Sequence, residues 1–121
     1  MRVTLYGIPN CNTVKKAMDW LKAHGVEIDF HDFKKKGISA SKLEAWFGRF
    51  GWEKVVNKNG LTFKKLDKER REAISSAVAA KNYLMENTSA IKRPVIEWEN
   101  NMVTLGFIET ELEQAFAENG G

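Results

Sequence analysis

The chain has 121 residues, a single cysteine and a net charge of +3, from 19 Lys plus Arg against 16 Asp plus Glu. An apolar fraction of 43% that includes seven Phe and four Trp can furnish one core, and domains of this size bury roughly two thirds of their unfolded surface. Charged residues at 29% exclude both a membrane protein and an extended disordered chain, and one thiol excludes a disulfide scaffold.

Val3-Thr4-Leu5-Tyr6 alternates apolar and polar and reads as a strand, ended by Gly7 and Pro9. A helix follows at once. Val14, Ala17, Met18 and Leu21 fall at helical spacing, with Gly25 as the stop, so Cys11 lies in or just before the first turn. Ile28 and Phe30 alternate with Asp29 and His31 in a second strand, and a helix between two strands makes them parallel.

Beyond Lys34-Lys35-Lys36-Gly37, Ser41-Lys42-Leu43-Glu44 matches a capping box for a helix whose stripe is Leu43, Trp46, Phe47 and Phe50. From 52 to 87 no strand stands out. Asp67 is placed to cap a helix carrying Ala73, Ile74, Ala77 and Val78, and a further short helix holds Tyr83 and Leu84. Val95-Ile96-Glu97-Trp98, a turn at Glu99-Asn100-Asn101 and Met102-Val103-Thr104-Leu105 form an antiparallel hairpin. Thr110-Glu111-Leu112-Glu113 is another capping-box match, opening a last helix with Leu112, Ala115 and Phe116 inside.

The order is thus β-α-β, helices, β-β-α. With a thiol at the start of the first helix, this predicts an α/β fold of the thioredoxin-like kind: a mixed four-stranded sheet flanked by helices, in one domain over 1–121, with a helical insertion over about 38–90. No repeat or interdomain linker interrupts it.

The thiolate, not the thiol, attacks disulfides, and an ordinary cysteine is mostly protonated at neutral pH. The free N–H groups and positive dipole end of a helix N-terminus favour the anion. The amides of Asn12, Thr13 and Val14, the Thr13 hydroxyl and the ammoniums of Lys15 and Lys16 all push that way; for Lys15 a solvated helix-face lysine is the favoured reading. Val14 stands where a dithiol enzyme has its second cysteine, so the CxxC motif is absent and an external thiol must resolve any disulfide at Cys11. One Cys with His24 and His31 shows no metal-ligand spacing, and no metal is expected. His24 reads as a helix-end residue, His31 as packed or as a weak pH modulator.

Arg93-Pro94 immediately precedes strand-like sequence. In thioredoxin-like proteins a cis proline at the start of the third core strand faces the active cysteine, and Pro94 stands at that place; the sequence leaves its isomer open. Arg93 beside it suits bidentate contact with a carboxylate or oxyanion. The basic set Lys58, Lys64, Lys65, Lys68, Arg70 and Arg71 reads as a solvated face or as a positive surface. Neither nucleic acid nor membrane is an expected partner. No stretch approaches the ~20 apolar residues of a membrane span, and Met1-Arg2 runs straight into strand sequence, so a cytoplasmic setting is expected.

Leu5-Tyr6-Gly7-Ile8-Pro9-Asn10-Cys11-Asn12-Thr13-Val14-Lys15-Lys16-Ala17, Phe30-His31-Asp32-Phe33, Asn57-Lys58-Asn59-Gly60, Lys64-Lys65-Leu66-Asp67, Ile91-Lys92-Arg93-Pro94-Val95 and Leu105-Gly106-Phe107, in this order, resemble the arsenate reductase (ArsC) family. That family includes the Spx regulators, and the likeness is greatest to its small YffB-like members. The resemblance implies a nucleophilic Cys11 and cytoplasmic thiol chemistry, often with glutathione. It implies three arginines around the oxyanion in family arsenate reductases, of which this chain keeps one, Arg93; Asn57 with Lys58 beside it occupies the first place, and the third falls near Gly106-Phe107.

The expected function is a glutathione-dependent thiol/disulfide reductase with Cys11 as nucleophile. Asn12, Thr13, Lys15 and Arg93 would stabilise the thiolate or an anion, and Pro94, Asn57 and Lys58 would form the substrate groove. Glutathione is the expected co-substrate, with no tightly bound cofactor, and glutaredoxin or a disulfide-bearing protein is a further candidate partner. The alternatives are glutathione/glutaredoxin-coupled arsenate reduction and an Spx-like redox-sensing regulator that binds a protein.

Overall fold

A computed structural model describes all residues, 1–121. Its chain forms two compact units, Met1–Asp32 with Arg93–Gly121, and Phe33–Lys92.

In the first unit, strand β1 (Arg2–Gly7) leads into helix α1 (Asn12–Ala23) and strand β2 (Glu27–Asp32). After the inserted segment come β3 (Val95–Glu97), β4 (Val103–Leu105) and a C-terminal helix, Glu109–Glu118. The sheet order is β2-β1-β3-β4. β1 pairs parallel with β2, opposing Tyr6 to His31, and antiparallel with β3, opposing Tyr6 to Val95. β3 and β4 are antiparallel, Val95 opposite Leu105. This is the mixed four-stranded sheet that the element order predicts, and the α/β thioredoxin-like class holds.

The period-2 pattern of β1 and β3 sends Val3, Leu5 and Ile96 to one face, where they join Val14, Ala17 and Leu21 of α1 and Leu112 and Ala115 of the C-terminal helix in one buried cluster. Gly25 ends α1 at φ +73, a left-handed conformation that a side chain resists.

The second unit is helical: α2 (Phe33–Lys36), α3 (Ala40–Phe50), α4 (Trp52–Val55), α5 (Leu61–Lys64), α6 (Lys68–Ala73), α7 (Ala77–Glu86) and a 3-10 turn at Thr88–Ala90, with one bridge between Val56 and Ile91. The C-terminal helix is therefore α8. Leu43, Trp46, Val55, Ala80, Leu84 and Ile91 are buried within this unit's chain segment, and Phe33 meets Trp46 edge-on.

Three helix starts differ from the expected ones. α3 is capped by Ser39, whose hydroxyl accepts from the Lys42 amide at 3.2 Å, and not by Ser41. Beginning at Ser39 adds the bond from the Leu43 amide to the Ser39 carbonyl, which a start at Ser41 forgoes. α8 begins before Thr110: Ile108 is its N-cap and offers no side-chain oxygen, while Glu109 and Glu111 set negative charge at the positive end of the dipole. Asp67 caps α6 as expected, accepting from the Arg70 amide at 2.8 Å, but that helix stops at Ala73. Ser76 then caps α7 through the Ala79 amide, so Ala77 and Val78 share a helix with Tyr83 and Leu84. The supposed stripe of Ala73, Ile74, Ala77 and Val78 does not exist, since Val78 is 64% exposed.

Trp46→Ala should cost about 3–5 kcal/mol in urea denaturation, as truncation of a fully buried aromatic does. Val78→Ala on α7 should stay within about 0.5 kcal/mol of wild type.

Candidate functional site

The turn Ile8-Pro9-Asn10 carries the chain from β1 into α1 and leaves Cys11 as the N-cap residue, in extended conformation (φ −134, ψ 119). Its carbonyl accepts the first helical bond, from the Lys15 amide at 3.0 Å. The side chain stands where a serine or aspartate oxygen stands at many helix starts. The helix comes this close to the strand because residue 7 is glycine: a Cβ there would lie 2.8 Å from a Val14 methyl.

Sγ is partly exposed and makes no hydrogen bond of capping geometry to the first-turn amides. Burial is the largest single influence on the thiol and opposes its ionisation. The Val14 amide, the Arg93 guanidinium acting as donor and as charge, and the Thr13 amide together outweigh it, so Cys11 ionises below the ordinary cysteine range. Arg93 arrives from the start of β3, followed by a cis bond to Pro94, which is buried and whose carbonyl accepts from the Gly106 amide at 2.8 Å.

Of the residues singled out in the sequence, Thr13 and Arg93 thus meet at Cys11, with Pro94 adjoining Arg93 in the chain. Asn12 is exposed as the first residue of α1. Lys15 is directed elsewhere, pairing with Asp19 at 3.3 Å along the exposed face of α1. Asn57 and Lys58 belong to the second unit. There the Asn57 amide donates to the Ala90 carbonyl at 2.7 Å, Gly60 closes on the Asn57 side chain, and the Lys58 ammonium sits 5.2 Å from the Trp52 ring centroid. His24 stacks on Trp20 at 3.8 Å, as a helix-end residue. No group of three or more His, Cys, Asp or Glu side chains is arranged to hold a metal ion.

One polar pair went unread in the sequence. The Tyr6 hydroxyl donates to the Glu97 carboxylate at 2.6 Å, and the Tyr6 ring tilts over His31 at 4.8 Å. Burial first, then Glu97, raises the Tyr6 phenol above the ordinary tyrosine range. The only local signal was a carboxylate at Glu97 between Ile96 and Trp98; its partner depends on strand register.

A glycine-backed turn, a thiol at a helix N-terminus and an arginine ahead of a cis proline, on a mixed sheet, define a thioredoxin-like thiol protein. More narrowly, residues 6–115 match the ArsC family, and the chain belongs to it. It is 38% identical to an uncharacterised protein of Haemophilus influenzae, over 95% of this chain and 99% of that one. A solved structure named as a YFFB protein superposes with a TM-score of 0.87 at 39% identity, covering 93% of this chain and 97% of the other. The global transcriptional regulator Spx of Streptococcus mutans is 30% identical over 91% of this chain and 80% of its own length. No helix is long and apolar enough to cross a membrane.

Alkylation of Cys11 by iodoacetamide, followed by mass spectrometry against pH, should rise through a midpoint below that of free cysteine, because only the thiolate reacts. Arg93→Ala removes a donor and a positive charge from the anion, so its midpoint should move up and its rate at neutral pH fall several-fold.

Proposed function

We propose that the chain is a glutathione-dependent thiol/disulfide reductase that works through Cys11. The observation that supports this reading best is a lone thiol at the N-terminus of α1, favoured as thiolate by Arg93 and the first-turn amides. In the first step the Cys11 thiolate attacks the glutathionyl sulfur of a mixed disulfide. A Cys11–glutathione disulfide forms, the original S–S bond breaks, and the substrate leaves as a thiolate that takes a proton from solvent. In the second step a glutathione thiolate attacks the same sulfur, releasing glutathione disulfide and restoring the Cys11 thiolate. In the net exchange one glutathione thiol is oxidised and the substrate sulfur is reduced to a thiol; the other half of the glutathione disulfide is the glutathionyl group that the substrate delivers already at the disulfide oxidation level.

The helix N-terminus stabilises the resting thiolate and again the thiolate leaving in the second step. Between the two steps the sulfur is neutral, and on this reading the guanidinium orients a carboxylate of the bound glutathione. Pro94 shapes the groove floor on this reading, and glutaredoxin or a disulfide-bearing protein is a candidate partner.

The Spx relative supports a second reading, a regulator that binds a protein and uses Cys11 as a redox sensor. Val14 removes the second sulfur of a CxxC switch, which favours the enzymatic reading.

Wild-type and Cys11→Ser proteins should be compared with glutathione disulfide and with arsenate, following adducts by mass and turnover by NADPH consumption coupled through glutathione reductase. Wild type should form one glutathione adduct on Cys11 and turn over a mixed-disulfide substrate, and Cys11→Ser should do neither. Arsenate turnover with glutathione and glutaredoxin present would replace this reading by arsenate reduction. A stable protein partner retained by Cys11→Ser, with no turnover by wild type, would replace it by the regulator.

A further inference from the structure

β2 is the terminal strand of the sheet, hydrogen-bonded to β1 alone. The Glu27 amide donates to the Met1 carbonyl at 3.0 Å, which fixes the alternation of this parallel pair. Glu27, Asp29 and His31 direct their backbone groups to β1, and Ile28 and Phe30 direct theirs to the open edge. Alongside runs a concavity of about 360 Å³ lined by Pro9, Val14, Met18 and Phe30, with Lys15, Asp19 and Lys22 at its rim. A second hollow shares Met18 and Lys22 with it, and is lined further by Val26 and Ile28 and by Arg2, Glu27 and Asp29.

The two sides differ in chemistry. On the α1 side, Ile28, Phe30 and Met18 are part-exposed apolar groups packed against the core cluster. On the opposite side two carboxylates, Glu27 and Asp29, share one guanidinium, Arg2, at 2.8 and 3.2 Å. On that face the carboxylates outnumber the guanidinium by one, while Lys22 stands on the α1 side of the hollow.

We propose that the β2 edge is a docking site for an extended segment of a partner protein in which apolar and basic residues alternate. The segment adds as a fifth strand, exchanging backbone hydrogen bonds with Ile28 and Phe30. Its apolar side chains fill the hollow beside Met18 and Phe30, and its basic ones lie beside Glu27 and Asp29. A second copy of this chain is a poorer occupant, because pairing β2 with β2 sets like carboxylates against one another. The site does not depend on the thiol chemistry of Cys11.

The probe is an acetylated, amidated six-residue peptide alternating lysine and valine, titrated into 15N-labelled full chain, with a glutamate–valine peptide as control. The lysine–valine peptide should shift the Ile28 and Phe30 amides, in wild type and in Cys11→Ser alike, and the control should not. Ile28→Pro deletes the outward N–H at a position where an edge strand tolerates proline, and it should weaken binding about tenfold. Independently, the double variant Glu27→Lys with Asp29→Lys should reverse the preference between the two peptides. Shifts centred elsewhere, equal binding of both peptides, an Ile28→Pro variant that folds and binds as wild type, or dimerisation of the free chain through these amides would each overturn the proposal.

Discussion

The seat of α1 on the end of β1 is the contact on which the rest of the site depends. Gly7 lets Val14 approach to where a Cβ would collide with it, and that approach sets the direction in which the first turn of α1 points. Cys11 is carried on this turn. The pairing of β1 with β3, Tyr6 opposite Val95, then brings the residue two places before Val95 to the same end of the sheet. Arg93 and Cys11 meet because a central strand is shared between a parallel and an antiparallel neighbour, not because of any local motif. Any larger residue at position 7 has to lift the helix start or displace Val14 from the core, and either movement is passed directly to the sulfur.

What could be read from the chain divides along the range of the forces involved. β1, α1, β2 and the hairpin declare themselves through periodicities of 2 and 3.6, because each buries one face against a single core. Helix starts were less legible where two serines competed: Ser39 and Ser41 both offer a cap, and backbone bonds to the Ser39 carbonyl decide between them. The break between α6 and α7 was missed for a related reason, since Ser76 restarts a helix inside what looked like one continuous pattern. Cys11 was legible from its place after Gly7 and Pro9, whereas the place of Arg93-Pro94 at the third strand rested on what thioredoxin-like proteins share and not on the local residues. The Tyr6–Glu97 bond depends on register alone and left almost no trace. Lys15 follows the solvated helix-face reading: a carboxylate four residues on, Asp19, holds its ammonium on the helix surface.

Family membership narrows the chemistry without choosing it, because the ArsC family that this chain belongs to also takes in a relative bearing the name of a transcriptional regulator. The choice turns on the donors that surround the sulfur. A doubly charged oxyanion asks for several forked donors at once, and this chain sets one guanidinium and two amides at Cys11. A thiolate attacking a disulfide asks for less: a single negative charge to be held before the step, and a single negative charge to be held on the departing sulfur after it. The inventory at Cys11 matches the smaller demand.

The same inventory explains why a single thiol suffices on the glutathione reading. In a dithiol protein the second sulfur serves as an internal leaving-group trap, and its place here is filled by Val14, whose side chain is spent on packing against Gly7 while its amide faces the thiol. Position 14 thus gives the site a buried side chain and an amide where a dithiol protein has its second sulfur. Cys11 itself is partly exposed, as attack by an outside thiolate requires. Resolution from solution then asks that the bound glutathione be held with its sulfur open to attack, and on that reading the guanidinium beside Cys11 is the group that would hold it.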